Sequence, residues 1–143
     1  MEAMTEPSPA AGPEDSTQMS GRREPVLRVA PAARDINSNG HIFGGWVLSQ
    51  MDIAGGIVAS RLARGAVATV AIDKMAFIAP VLLLDVVSLY AEIERIGHTS
   101  VAVRIEVTSA RDRGTREVKV TDGLFTYVAL DEAKRPRPIK QEG

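Results

Sequence analysis

One stretch of the chain, from Gly40 to Leu62, restricts the possible folds more than any other part of the sequence. From Trp46 onward it is apolar on nearly every side, which predicts an enclosed helix from about Gly45 to Arg64. Its middle carries a single charge, Asp52, and the positions three and four residues away hold no cation. A carboxylate without a local partner is costly inside a buried helix, so Asp52 is a candidate functional residue.

Strand-like alternation on both sides of this helix predicts a sheet that encloses it. A short first strand is expected over Pro25 to Ala30, and Gly65 is expected to end the helix. Further strands are expected at 67–77, 85–96, 100–110 and 116–130, in the order of an antiparallel meander. The chain is therefore predicted to be α+β, with one curved sheet of about five strands against the helix. Because such a sheet covers the helix only in part, a second copy of the chain is expected to cover the rest.

The composition excludes several classes of function. With 143 residues, 45% of them hydrophobic, the chain predicts one globular domain at 25–139, between a disordered tail at 1–24 and a short tail at 140–143. A net charge of -1 argues against a nucleic-acid partner. The lack of cysteine excludes thiolate catalysis, and His41 and His98 are not spaced as metal ligands, so no metal or other cofactor is expected. Without a segment of membrane length or a secretory signal, the expected location is the cytoplasm.

Four segments of the sequence together are similar to a known family. They are DINSNGHIFGGWVLSQMD at Asp35 to Asp52, VAIDKMAFIAP at Val70 to Pro80, DGLFTYVALD at Asp122 to Asp131, and RPRP at Arg135 to Pro138. The order of elements resembles the hotdog fold, in which a curved antiparallel sheet wraps one long helix. The motifs more closely resemble the small bacterial acyl-CoA thioesterases of the YciA type, over residues 25–139.

The resemblance implies hydrolysis of a coenzyme A thioester, with coenzyme A entering only as part of the substrate. It also implies active sites shared across a homodimer, and often a hexamer built as a trimer of dimers. The carboxylate on the family's helix aligns with Asp52. The loop position that is usually Asp or Asn in the family is His41 here, which is a departure from the pattern.

Thioester hydrolysis needs a carboxylate that activates water or attacks directly, and donors for the developing oxyanion. Asp52 is the candidate base or nucleophile, and the backbone N–H groups of Gly44, Gly45 and Trp46 at the helix start are candidate donors. Asp52 lies about 10 Å further along the same helix. We therefore expect it to act on a thioester bound to the other subunit's loop. The alternatives are a purely structural carboxylate and glycines needed for tight packing.

The remaining candidates are each also explained by an ordinary structural role. His41 is a candidate donor to the thioester carbonyl or to the attacking water, or else a cap for the helix. Residues that are candidates for lining the substrate site are Asn37, Trp46, Thr99 and Ser100. The phosphates of coenzyme A call for basic residues, for which the candidates are Arg61, Arg64, Lys74, Arg111, Arg113, Arg135 and Arg137.

Two rival functions share parts of this pattern. A dehydratase or hydratase of acyl thioesters on the same fold also uses a loop histidine and a helix carboxylate, but no proline lies between His41 and Asp52 as its motif requires. A non-catalytic regulator that binds acyl-CoA is the second rival. It normally needs a DNA-binding module, and the first 24 residues contain no helix-turn-helix pattern.

Overall fold

The computed structural model of the chain describes residues 23–139, and the tails expected at 1–24 and 140–143 therefore lie outside the described residues, apart from Arg23 and Glu24. Its elements follow the predicted order. They are β1 (Leu27–Val29), α1 (Gly44–Ala63), β2 (Val67–Phe77), β3 (Val86–Ile96), β4 (Ser100–Arg111) and β5 (Arg116–Ala129). A short 3-10 turn, Ala33–Asp35, precedes the helix.

The strands form one antiparallel sheet in the order β1-β3-β4-β5-β2. The meander is correct for β3, β4 and β5, but β2 does not lie beside β3. It pairs with β5, on the side of β5 that faces away from β4. The connector after β2 also remains beside β5, where Ile78 N–H donates to Val120 O at 2.7 Å. Asp85, at the end of the connector, is then held by Arg111 Nε at 3.1 Å. Among the strands of residues 23–139, β2 therefore lies at an edge of the sheet, with β5 as its neighbour.

The core lies between α1 and the inner face of the sheet. Phe125 and Tyr127 of β5 are fully buried, and so are alternate residues of β4, namely Val101, Val103, Ile105 and Val107. Val47 and Met51 face them from the helix. Burying each such side chain contributes about 1.5–3 kcal/mol. The opposite face of α1 is open within a single chain, where Ile53 is 50% exposed.

The helix does not end as the sequence predicted. Arg64, not Gly65, adopts the left-handed conformation, with φ 58. Arg137 then reaches back from the end of the chain, donating from Nη2 to Ala63 O at 2.7 Å and from Nε to Leu130 O at 3.0 Å. The segment that contains RPRP is consequently part of the folded domain, and its last described residue, Ile139, is only 6% exposed.

Candidate active site

The Asp52 carboxylate is bound by residues of the sheet rather than by its own helix. Thr69 Oγ1 donates to Asp52 Oδ1 at 2.6 Å, and the Tyr127 hydroxyl lies 3.0 Å from the same oxygen. Asp52 Oδ2 accepts no hydrogen bond from any residue in 23–139. The expectation that Asp52 lacks a helical partner is therefore met, and one carboxylate oxygen is held while the other is open.

Thr69 and Tyr127 were both missed by the sequence reasoning. They lie directly opposite each other in the β2–β5 pairing, so their side chains share one face of the sheet. Tyr127 is 1% exposed, and burial, followed by the charge and hydrogen bond of Asp52, raises the pKa of its phenol. It thus remains a hydroxyl donor at neutral pH. A buried tyrosine, one of two in the chain, needs a partner for its hydroxyl, and that was the available signal.

The two glycines in the middle of the helix have different surroundings. A Cβ at Gly55 would overlap the Tyr127 hydroxyl and lie 2.7 Å from Ile105 Cδ1. A Cβ at Gly56 would meet nothing within 4 Å. Gly55 therefore lies in close contact with side chains of β4 and β5, whereas Gly56 does not.

The first turn of α1 leaves backbone donors open. Phe43 is the N-cap and provides no side-chain hydrogen bond. Trp46 N–H donates to Phe43 O at 3.1 Å, so Trp46 does not supply an open donor as the sequence suggested. Within residues 23–139, the N–H groups of Gly44 and Gly45 have no acceptor, which suits them to binding an anion or an oxyanion.

The loop before the helix is a tight turn built on Asn37. Asn37 Oδ1 accepts the N–H groups of Asn39 at 2.9 Å and His41 at 3.1 Å, and Gly40 adopts φ 81. Asn37 therefore shapes the loop, whatever further role it has. The His41 side chain is exposed and makes no hydrogen bond with the described residues, so it does not cap the helix.

His41 and the start of α1 border a cavity of about 300 Å³. Its other walls are mainly apolar and come from the end of β2 and the connector after it. The Phe77 ring lies 3.5 Å from the position that a Cβ on Gly44 would occupy, which makes this wall close to the open donors. Asp52 is not among the residues that line it; the eight-residue offset from Gly44 places Asp52 about 12 Å away along the helix axis.

Several other candidates lie at the opposite end of the helix. Thr99 lies in the β3–β4 turn, where its O accepts Ala129 N–H at 2.9 Å, and Ser100 is the first residue of β4. Arg64 and Arg137 line a second cavity of about 650 Å³ together with Asp131 and Glu132. The structure brings these residues to one end of the molecule, away from His41.

The remaining basic candidates are dispersed. Arg61 is exposed in the last turn of α1. Lys74 is exposed on β2, at a bulge where its φ is 53. Arg111 is held by Asp85 and Pro80 O, and so has a structural role. Trp46 is partly buried and packs against the core.

Two classes of site are absent from the described part of the chain. No three His, Asp or Glu residues within 23–139 are arranged to hold a metal ion. No helix in the same range has both the length and the apolarity needed to cross a membrane.

Comparison with known proteins gives the family. The model of the thioesterase superfamily matches residues 39–115, which include the His41 loop, α1 and Asp52. The chain belongs to the thioesterase superfamily. The acyl-CoA thioester hydrolase YciA of Salmonella typhimurium is 44% identical over 124 residues, covering 84% of this chain and 92% of that protein.

Solved structures of other superfamily members confirm the fold. A hexameric thioesterase from Yersinia pestis matches with a TM-score of 0.80 and 44% identity, covering 84% of this chain and 98% of that one. A hexameric hotdog fold thioesterase of Campylobacter jejuni matches with a TM-score of 0.78 and 39% identity, over 82% and 90% of the two chains. The predicted α+β hotdog fold is therefore correct.

Proposed function

We propose that this thioesterase-superfamily chain hydrolyses acyl-CoA to the free acid and coenzyme A, without a cofactor. The observation that carries the proposal is the state of Asp52, whose carboxylate has one oxygen held by two hydroxyls and the other open. A carboxylate of this kind can activate water or attack the thioester carbon. The 44% identity to an acyl-CoA thioester hydrolase supports the choice of substrate class.

The chemistry divides between the two halves of α1. Asp52 Oδ2 either takes a proton from the water that attacks the thioester carbon, or attacks that carbon itself to give a mixed anhydride that water then hydrolyses. In both routes the C–S bond breaks and coenzyme A leaves as a thiolate that is protonated to the thiol, while the N–H groups of Gly44 and Gly45 stabilise the oxyanion. Because these groups are about 10 Å apart on one helix, a single thioester cannot meet both from the same chain. Each active site therefore combines Asp52 of one subunit with the glycine turn of another.

A shared site requires an interface between subunits, and the β2 edge of the sheet has the properties of such an interface. β2 is an edge strand with Val70 58% exposed and Ile72 45% exposed, and Ile53 of the nearby helix is 50% exposed. Apolar edge strands without protection favour pairing with another chain. Together with the hexameric relatives, this supports a homodimer with shared sites that assembles into a trimer of dimers.

The same proposal assigns places to the substrate. The apolar cavity beside His41, Asn37 and Gly44 receives the end of the substrate next to the thioester. Basic residues at the helix end, Arg61, Arg64 and Arg137, are candidates for the phosphates, with Thr99 and Ser100 nearby. Lys74 and Trp46 stay candidates for substrate contact, and the cytoplasm stays the expected location.

Replacement of Asp52 by asparagine tests the proposal. Asp52→Asn keeps the shape and the hydrogen bonds but removes the basic oxygen, so kcat for thiol release from acyl-CoA should fall by about 10³-fold or more. Asp112→Asn, an exposed carboxylate in the turn between β4 and β5, is the matched control and should retain wild-type turnover. Crotonyl-CoA should be assayed in parallel for hydration. Near-normal thiol release by Asp52→Asn, or hydration without thiol release by the wild type, would contradict the proposal.

A further inference from the structure

Burial of the Tyr127 ring does not require its hydroxyl. The ring already packs in the core, with its centroid 6.5 Å from that of Phe125 two residues earlier in β5. Its hydroxyl instead crosses to α1, ending 3.0 Å from Asp52 Oδ1 and 3.1 Å from Asp52 O. Both acceptors belong to the residue that the proposed function places at the centre of the chemistry.

The helix is shaped to admit this hydroxyl. Any side chain at Gly55 would overlap it, and glycine in a helix interior costs about 1 kcal/mol relative to alanine. Gly56, the next residue, has open space around the position of a Cβ, so the crowding is specific to position 55. Gly55 is therefore the position at which α1 makes room for Tyr127.

The contact also distinguishes the two oxygens of the carboxylate. Oδ1 has two hydroxyl donors, from Thr69 at 2.6 Å and Tyr127 at 3.0 Å, which together occupy its two lone pairs. Rotation of the carboxylate would break both hydrogen bonds. Oδ2 accordingly keeps one direction, and it meets no donor among residues 23–139.

We propose that Tyr127 is a positioning residue that fixes the rotation of the Asp52 carboxylate, so that Oδ2 is the oxygen that reacts. The inference rests on the proposed function for its consequence in catalysis. Its structural part, that the Tyr127 hydroxyl binds the ionised carboxylate, is independent of the substrate. Positioning of this kind acts on the chemical step and not on substrate binding.

Tyr127→Phe tests this inference because it keeps the ring and removes only the hydroxyl. We expect kcat for acyl-CoA to fall about tenfold, the value of one hydrogen bond to a charged group, while KM changes by less than about twofold. The matched control is Tyr90→Phe. Tyr90 is the other tyrosine of the chain and lies on β3 under the Arg23 guanidinium, so its change should alter neither constant.

A second measurement separates this inference from the proposed function. Carboxyl-carbon NMR of protein labelled at aspartate, with the Asp52 signal assigned by its loss in Asp52→Asn, reports on the hydrogen bonds of this carboxylate without any substrate. Loss of the Tyr127 hydroxyl should change the chemical shift of that signal at pH 7 in Tyr127→Phe, because one of the two donors to Oδ1 is removed. Tyr90→Phe should leave the signal at its wild-type position.

The outcomes distinguish the two hypotheses. An Asp52 signal at the same chemical shift in Tyr127→Phe and wild type, or a raised KM with unchanged kcat, would overturn the positioning role. Lack of thiol release by the wild type would overturn the proposed function, while the NMR comparison would still decide whether Tyr127 binds the carboxylate.

Gly55→Ala probes the same contact from the helix. Its Cβ displaces the hydroxyl, so kcat should fall, and adding Tyr127→Phe should cost less than about threefold more because both changes break one hydrogen bond. Effects that multiply would contradict the inference. Should Gly55→Ala fail to fold, the kinetics and the NMR comparison of Tyr127→Phe decide the question alone.

Discussion

The two ends of α1 are treated in opposite ways by the rest of the chain. At the C-terminal end, Ser60 O accepts Gly65 N–H at 3.1 Å and Ala63 O accepts Arg137 Nη2 at 2.7 Å. At the N-terminal end, the N–H groups of Gly44 and Gly45 have no acceptor within the described residues, and the N-cap provides no side chain. One end is closed by the protein itself, and the other is left open to a ligand.

The helix dipole explains why this difference has consequences. The carbonyl end carries partial negative charge, and a cation such as Arg137 stabilises it. The N–H end carries partial positive charge and attracts an anion. No side chain among residues 23–139 supplies that anion. The closed end is therefore expected to govern stability, and the open end to govern turnover.

The largest effect should come from removing one open donor. Proline is well accepted at the first position of a helix, and Phe43, with φ -53 and ψ 136, already has the extended backbone that precedes proline. Gly44→Pro should therefore fold normally but lower kcat about 10²–10³-fold, as loss of an oxyanion donor does. Steady-state kinetics and thermal unfolding of the same sample measure both.

Gly44→Ala is the control for that change. It keeps the N–H, and its Cβ would lie at an ordinary 3.5 Å from the Phe77 ring. Retention of most activity by Gly44→Ala is expected. If Gly44→Pro also retains turnover, the open end is not the oxyanion site and the comparison between the two ends fails.

An intermediate effect is expected at the closed end. Arg137→Ala removes the donor to Ala63 O and Leu130 O, so the free energy of unfolding should fall by about 2 kcal/mol. Denaturant unfolding measures it. Arg135→Ala, whose exposed side chain makes no hydrogen bond to the described residues, should change stability by less than about 0.5 kcal/mol. A higher KM for acyl-CoA with unchanged unfolding would instead support Arg137 as a phosphate contact.

The smallest effect concerns the loop beside the open end. The His41 side chain borders the cavity but makes no hydrogen bond with residues 23–139, so His41→Ala should lower kcat only about tenfold and leave KM nearly unchanged. His98→Ala, in the β3–β4 turn, is the matched control. A loss as large as that of Asp52→Asn would show that His41 is indispensable, as a dehydratase-like mechanism requires.

Local pattern was enough to predict most elements of the fold. The helix was placed to within one residue, and the strand at 67–77 has its predicted bounds. Hydrophobic periodicity and turn residues act over a few positions, so the elements that they define can be recognised from the sequence alone. The same holds for the glycines at the start of α1 and for Asp52, a charge that its own helix does not neutralise.

The neighbours of these residues were decided only by the tertiary structure. Alternation predicts which face of a strand is buried, but not which strand lies beside it, and β2 was wrongly expected beside β3. Because β2 pairs with β5, Thr69 and Tyr127 meet Asp52, although Tyr127 is 75 positions away from it in the chain.

The sequence by itself determined that one carboxylate in an enclosed helix lacks a local partner. It also determined that the first turn of this helix begins with two glycines, which have no side chains to cover the backbone. The tertiary structure decided which atoms hold that carboxylate, why Gly55 has to be small, and that Arg137 closes the helix. The physical reason is that hydrogen bonds between distant segments depend on strand order and side-chain reach, which no local pattern encodes.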